Sequence, residues 1–299
     1  MHYDAAIEVE RIIKNDAGGR GLGDITRSLD LARAAEELYG GDRILIVTGF
    51  CIAETLCGET DGPLGTVALA WALEKLGKEV MILTDGYSKH IINACAGYLG
   101  LRARQTLMPY TDSEDFCSEL LDSFKPSHIV SIERPGKAKD GRFYSMKGTD
   151  LTHLVPDSDS LLKCAKQREI VTIAVGDGGN ELGMGKVRDL VVKFLDVGET
   201  IAAVTEADYL IVSGVSNWGA HGLVAMLSIL VGRMLLQDEF TEKALIEKMV
   251  EAGAVDGCSK RREPTVDGLS LEHNIEILSS LRKLTAGFIK EKRNLKTCE

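Results

Sequence analysis

The segment GDGGNELGMG, Gly176 to Gly185, carries the densest chemistry in the chain. Its glycines let backbone amides approach a ligand closely, yet Asp177 and Glu181 stand four residues apart in the same loop. The amides, and the helix expected to follow over ELGMGKVRDLVVKFL, favour an anion, whereas the two acids favour a cation. Both preferences are met if a divalent ion stands between the acids and an anionic substrate. Asn180 would then be a neutral oxygen ligand, and the amides of Gly178 and Gly179 would face the substrate. The structural alternative is a tight turn in which Asp177 or Asn180 caps the helix.

Further acids fall at the ends of expected strands: Glu54, Glu59 and Asp61 in AETLCGETDGPLG, Asp85 in TDG and Glu133 in ERPG. Carboxylates gathered in this way repel one another unless a metal or a raised pKa neutralises them. Oxygen donors without paired His or Cys select Mg(II), Mn(II) or Ca(II) over zinc, so Asp61, Glu133, Asp177, Asn180 and Glu181 form the expected metal set, with Mn(II) or Mg(II) as its ion. Arg134 has the fork geometry to hold a carboxylate or phosphate, or else pairs with a neighbouring acid. GRFYSMKGTDLTH, with Tyr144 and Lys147, lacks periodicity and suits a loop over the site. In SNWGAHGL, Ser216 or Asn217 is a plausible helix cap, Asn217 also a substrate contact, and His221 a general base or a structural donor.

Several chemistries are excluded by spacing. Asn180 and Val187 break the phosphate-loop pattern, and G-x-G-x-x-G does not occur, so no nucleotide cofactor is expected. H-E-x-x-H and G-x-S-x-G are both missing, which removes zincin and nucleophile-elbow hydrolase readings. Seven cysteines without a C-x-x-C support neither a zinc ribbon nor a disulfide framework, and Cys95 and Cys117 read as small core residues.

The elements that must position these loops alternate. RILIVTG, EVMILTDG, RARQTL, HIVSIERPG, REIVTIAVGDGG and DYLIVSGVSNWG read as strands; helices are expected from near Pro63, over Ser88 to Leu99, Asp112 to Phe124 and Asp159 to Lys166. This predicts an α/β fold, a Rossmann-like parallel sheet with helices on both faces and a helical C-terminal layer. The expected organisation is a single domain: N-terminal helices over 1–40, sheet core over 41–236, helical layer over 237–299. In such sheets ligands bind beyond the carboxyl ends of the strands, where the acidic loops fall. The last third holds two matching turns, AVDGCSK and TVDGLS.

With 35 basic and 45 acidic residues the chain carries −10, and no basic block marks a nucleic-acid face. No apolar run reaches the ~18 residues of a membrane helix. An N-terminus that mixes acids into an amphipathic helix predicts a cytoplasmic protein. VAMLSILVGRMLL suits either the core or a contact between copies, so a homo-oligomer stays open.

The combination of GDGGNELGMG, SNWGAHGL, ERPG with its downstream Tyr and MKG, and the AVDG/TVDG pair resembles the D-glutamate cyclase-like family, from about Glu36 to Leu284. The resemblance implies an enzyme that closes D-glutamate to 5-oxo-D-proline and water, with a site including Asp177, Asn180, Glu181, Asn217, Glu133 and Arg134. In larger members the module is a C-terminal part fused to another domain, and those members can be mitochondrial. The implied cyclisation needs a Lewis acid on the γ-carboxylate, Arg134 for the α-carboxylate, and a base, for which Asp85, Glu59 and His221 are candidates. The same residues also fit a Mn(II)- or Mg(II)-dependent phosphatase acting on a small phosphorylated metabolite. A third reading is a non-catalytic module binding a metal or small molecule.

Overall fold

The computed structural model describes residues 2–15 and 29–296. Two helices open the chain, α1 (His2–Ile13) and α2 (Leu29–Gly40). Strand β1 (Arg43–Thr48) runs into a loop holding the short antiparallel pair β2 (Cys51–Ile52) and β3 (Cys57–Gly58), before α3 (Pro63–Lys75). The alternation continues through β4 (Glu79–Thr84), α4 (Lys89–Leu99), β5 (Arg104–Leu107), α5 (Ser113–Phe124) and β6 (His128–Ile132). A long loop leads to α6 (Asp159–Gln167) and β7 (Val171–Gly176); then come α7 (Arg188–Phe194), α8 (Gly198–Ile201) and β8 (Tyr209–Val212). Three helices close the chain: α9 (Ser216–Val231), α10 (Glu239–Glu251) and α11 (Leu271–Lys296).

The six long strands pair in parallel, in the spatial order β5-β4-β1-β6-β7-β8. Counting these six along the chain, the order is third, second, first, fourth, fifth, sixth, which is that of doubly wound dinucleotide-binding sheets. Side chains alternate across the pleat. Ile44 and Ile46 of β1 join the core under α3 and α9, while Leu45 and Val47 join the core under α5 and α6. Both faces are therefore buried, and the strands read as apolar runs rather than alternating ones. Helix α9 is apolar around its whole circumference because α1, α2, α3 and α11 enclose it. VAMLSILVGRMLL is thus mostly interior, and truncating a fully buried member such as Leu227 to Ala is expected to cost about 2–5 kcal/mol.

One expected helix starts late. ELGMGKVRDLVVKFL does not leave the glycine loop as a helix: Gly183 and Met184 bridge to Glu206, a short 3-10 turn spans Gly185–Val187, and α7 begins only at Arg188. Gly183 adopts φ +98°, and a Cβ there would lie 2.3 Å from that of Ala174, so the chain crosses β7 at backbone contact before it can coil. Cys51, Cys57, Cys95, Cys117, Cys164 and Cys258 are free thiols, with Cys95 and Cys117 buried as core; Cys298 lies outside the described residues. No helix of the described residues is long and apolar enough to cross a membrane.

Candidate active site

Strands β1 and β6 are neighbours whose connections leave in opposite directions, so their carboxyl ends form the switch point of the sheet. Glu133 follows β6 there directly, in the left-handed region at φ +43°, a conformation that disfavours a side chain by about 1–2 kcal/mol. Its N–H donates to Val175 O and its carbonyl accepts from Gly49 N–H, which ties the ends of β6, β7 and β1 together. The side chain is buried, with Ser216 Oγ donating to Oε2 at 2.6 Å.

Asp177, just past β7, is shared by two groups of carboxylates. Asp177, Glu133 and Glu181 bring one oxygen each within 4.8 Å of one another, and so do Asp177, Asp61 and Asp267. All except Asp267 are almost fully buried. Burial holds the carboxyls of Glu133 and Asp61 well above the usual range; the charges of Asp177 and Glu181 then raise Glu133 further, and those of Asp267 and Asp177 raise Asp61. Among the described residues Arg134 is the one buried guanidinium or ammonium, and it is paired with Asp85. Asn180 adds a buried Oδ1 without a hydrogen-bond partner, while its Nδ2 donates to Tyr144 O at 2.8 Å. Buried carboxylates and an orphaned amide oxygen are hard donors that could hold a divalent cation.

The glycine-loop amides do not wait for an anion. Glu181 folds back so that its carboxylate accepts the N–H groups of Asp177 at 3.2 Å and of Gly178 and Gly179 at 2.6 Å each. The amides of Gly178 and Gly179, expected to face a substrate, are thus hydrogen-bonded within the loop.

Asp61 and Asn217 cap each other's helices. Asp61, just before α3, accepts the N–H groups of Ser216 (2.9 Å) and Asn217 (2.8 Å) at the start of α9. Asn217 answers with Oδ1, which accepts Gly62 N–H (3.0 Å) and Gly65 N–H (2.7 Å) at the start of α3, while its Nδ2 donates to Thr60 O at 3.0 Å. Asn217, expected as a substrate contact, therefore has its amide filled by the protein.

Arg134, expected to clamp a substrate carboxylate, is fully buried with its fork filled. Nε donates to Ser158 Oγ at 2.7 Å, Nη1 to Gly49 O at 2.9 Å and to Asp85, and Nη2 to Pro156 O at 3.1 Å. Asp85 is equally engaged: Oδ2 pairs with Arg134 and Oδ1 accepts the N–H groups of Tyr87 and Ser88 entering α4. His221 points away from the acids, with Nε2 3.2 Å from Gln237 Nε2 and 3.6 Å from Glu242. Tyr144 places its hydroxyl on Asp140 and offers the site only its carbonyl.

Beside the acids lies a cavity of about 350 Å³, lined among others by Glu59, Glu133, Asp177, Asp267, Lys147 and Lys260. That volume is at the lower end for small-molecule sites. Glu59 is held there by the AVDG turn: a Cβ on Gly257 would lie 2.0 Å from its Oε2. Asp256 ties the two matching turns together, accepting from Cys258 and Ser259 N–H with Oδ1 and from Gly268 N–H with Oδ2. Asp267 reaches the cavity as a result. The sequence signal for it was the repeated V-D-G, which marks a turn but not its direction. A larger open groove of about 1010 Å³ borders the starts of β7 and β8, where Lys137 and Lys163 are paired with Asp157 and Glu114.

Sheet order and site together define a doubly wound α/β protein whose switch point is lined by carboxylates. The chain belongs to the D-glutamate cyclase-like family: the family's sequence profile, described as "D-glutamate cyclase-like, C-terminal", matches residues 9–282. It is 37% identical over 252 residues to human "D-glutamate cyclase, mitochondrial", an alignment covering 77% of this chain and 41% of that protein. The chain thus spans less than half the length of that relative. By its name the relative is mitochondrial, where an acidic N-terminus had suggested the cytoplasm for this chain.

Proposed function

We propose that this chain is a divalent-metal-dependent enzyme that closes D-glutamate, or a closely similar acidic amino acid, to its five-membered lactam. The observation that carries this is Asp177, shared by two buried carboxylate groups at the switch point of a sheet belonging to this family. In the reaction the α-nitrogen bonds to the carbon of the γ-carboxylate (Cδ) and one oxygen of that carboxylate leaves. Two of the three ammonium protons depart with that oxygen as water, and the third remains on the lactam nitrogen. A divalent ion supplies Lewis-acid polarisation of the γ-carboxylate, whose charge otherwise resists attack. Asp177, Glu133 and Glu181, with Asn180 Oδ1, would hold it, or Asp177 with Asp61 and Asp267.

The protein's own groups do the rest. Glu59 lines the cavity, whereas Asp85 and His221 are bound elsewhere, so Glu59 is the residue to accept ammonium protons. Glu181 fixes the glycine loop and thereby the Asp177 side chain. The Arg134–Asp85 pair ties the backbone of Gly49 to the start of α4. Phosphatase chemistry finds less to work with, since the amides meant for phosphoryl oxygens are bonded to Glu181.

The test is turnover of D-glutamate by metal-stripped protein with Mn(II), Mg(II) or nothing restored, with phosphate release from a phosphomonoester assayed in parallel. Metal-dependent 5-oxo-D-proline formation is expected, together with Mn(II) binding that Asp177→Asn weakens at least 100-fold in calorimetry. Metal-dependent phosphate release with inert D-glutamate would overturn the reading.

A further inference from the structure

We infer that Lys147 receives the substrate's α-carboxylate and sets the enzyme's preference for a substrate with two carboxylates. The inference rests on the cyclase reading above and identifies the group that this reading leaves without a partner. A dicarboxylic amino acid brings one ammonium and two carboxylates into the cavity. The ammonium suits the acidic wall of Glu59 and Asp177, and the γ-carboxylate reacts. The α-carboxylate takes no part in bond making, yet must enter a cavity lined by Glu54, Glu59, Glu133, Asp177 and Asp267, and without a cation it would be repelled.

Two cations line that cavity, Lys147 and Lys260. Lys260 is held by Glu54, with Nζ 2.6 Å from Oε1. Lys147 makes no ion pair among the described residues, and Arg134 is buried on Asp85.

The backbone presents Lys147 firmly. Tyr144 and Asp150 bridge at the base of a tight turn. At its tip Ser145 Oγ accepts the N–H groups of Lys147 (3.3 Å) and Thr149 (3.2 Å), and Ser145 O accepts Gly148 N–H at 2.9 Å. This turn sits directly on the glycine loop: a Cβ on Gly178 would lie 2.5 Å from Met146 Sδ, and Asn180 Nδ2 holds Tyr144 O. The lysine therefore lines the acid-walled cavity from a turn that packs on the glycine loop. Its exposed stem leaves the ammonium solvated until a carboxylate arrives, which limits the desolvation cost of an empty site.

The experiment compares wild type, Lys147→Met and Lys147→Arg on D-glutamate and on its α-carboxamide, D-isoglutamine, which keeps the amine and the γ-carboxylate. Binding of 5-oxo-D-proline and of its amide to the Mn(II)-loaded protein is measured by calorimetry alongside. Lys147→Met is expected to raise KM for D-glutamate and Kd for 5-oxo-D-proline 10- to 100-fold, to change the amides less than 3-fold, and to be largely restored by Lys147→Arg. An unchanged D-glutamate KM, or equal losses on acid and amide, overturns the assignment while leaving the cyclase reading intact. Wild-type protein that neither turns over D-glutamate nor binds 5-oxo-D-proline overturns the cyclase reading, and the assignment with it.

Discussion

Asn217→Ala separates the two roles that position 217 can play. The side chain makes three buried hydrogen bonds, accepting from Gly62 and Gly65 and donating to Thr60. Gly62 N–H keeps Asp61 Oδ1 at 2.9 Å, so the substitution orphans Gly65 N–H and Thr60 O. Each buried orphan costs about 1–3 kcal/mol, which puts the loss at about 4 kcal/mol. At about 2.1 cal/mol/K per residue the unfolding entropy of 299 residues is about 0.6 kcal/mol/K, so the Tm should fall by roughly 6 °C. Asn217→Asp should do no better: it keeps both accepted bonds but loses the one to Thr60, and it sets a second buried carboxylate beside Asp61. Thermal and urea unfolding followed by circular dichroism, with Mn(II) affinity measured on the folded fraction, is the assay. If Asn217→Ala melts within 1 °C of wild type while substrate affinity collapses, the mutual capping has been misjudged and Asn217 is a ligand contact.

Four further outcomes are expected. Arg134→Lys keeps the charge but not the fork that serves Ser158, Gly49, Asp85 and Pro156, and should cost about 3 kcal/mol in urea unfolding with KM per folded molecule changed less than twofold. Asp267→Asn, at a half-buried turn, should weaken Mn(II) binding about 10-fold or more by calorimetry and leave the Tm within 2 °C. Gly257→Ala would displace the flexible end of Glu59, so kcat should fall about 100-fold at near-native stability, and an unaltered rate would remove Glu59 as the base. Burial raises the Asp159 carboxyl to about 6, so between pH 4 and 6 the folded state binds the proton that the unfolded chain has released. Stability should therefore decline as pH rises through that window, by up to about 3 kcal/mol, and level off above it; Asp159→Asn should flatten the slope.

The sheet was legible because most of the strands are short β-branched runs that end in glycine and polar residues, and because Pro63 marks helix entry. The convergence of Asp61, Glu133, Asp177 and Glu181 followed from strand ends alone. The individual duties did not. Capping between Asp61 and Asn217 joins residues 156 apart, and the Arg134–Asp85 pair joins residues 49 apart, so no local pattern announces either. Arg134 resembled a substrate clamp because an arginine after a strand has the same signature whether its partner is a ligand or a neighbouring strand end. The late start of α7 was hidden by residues with the right helical period, and Gly183's contact with Ala174 overrode it. Asp267 was missed because its turn is tied to the preceding one by Asp256, and the V-D-G pattern alone does not give that direction.

The double capping also bears on what this fold can refuse. In doubly wound sheets the first βα turn is where a dinucleotide's pyrophosphate rests on bare amides. Here the amides entering α3 are met by Asn217 and Asp61, and those of the glycine loop by Glu181. Each acts as a tethered decoy, a built-in anion or dipole at effectively saturating concentration. The turn after β1 is thus braced from within, joining the entries of α3 and α9 through side chains that belong to the fold itself.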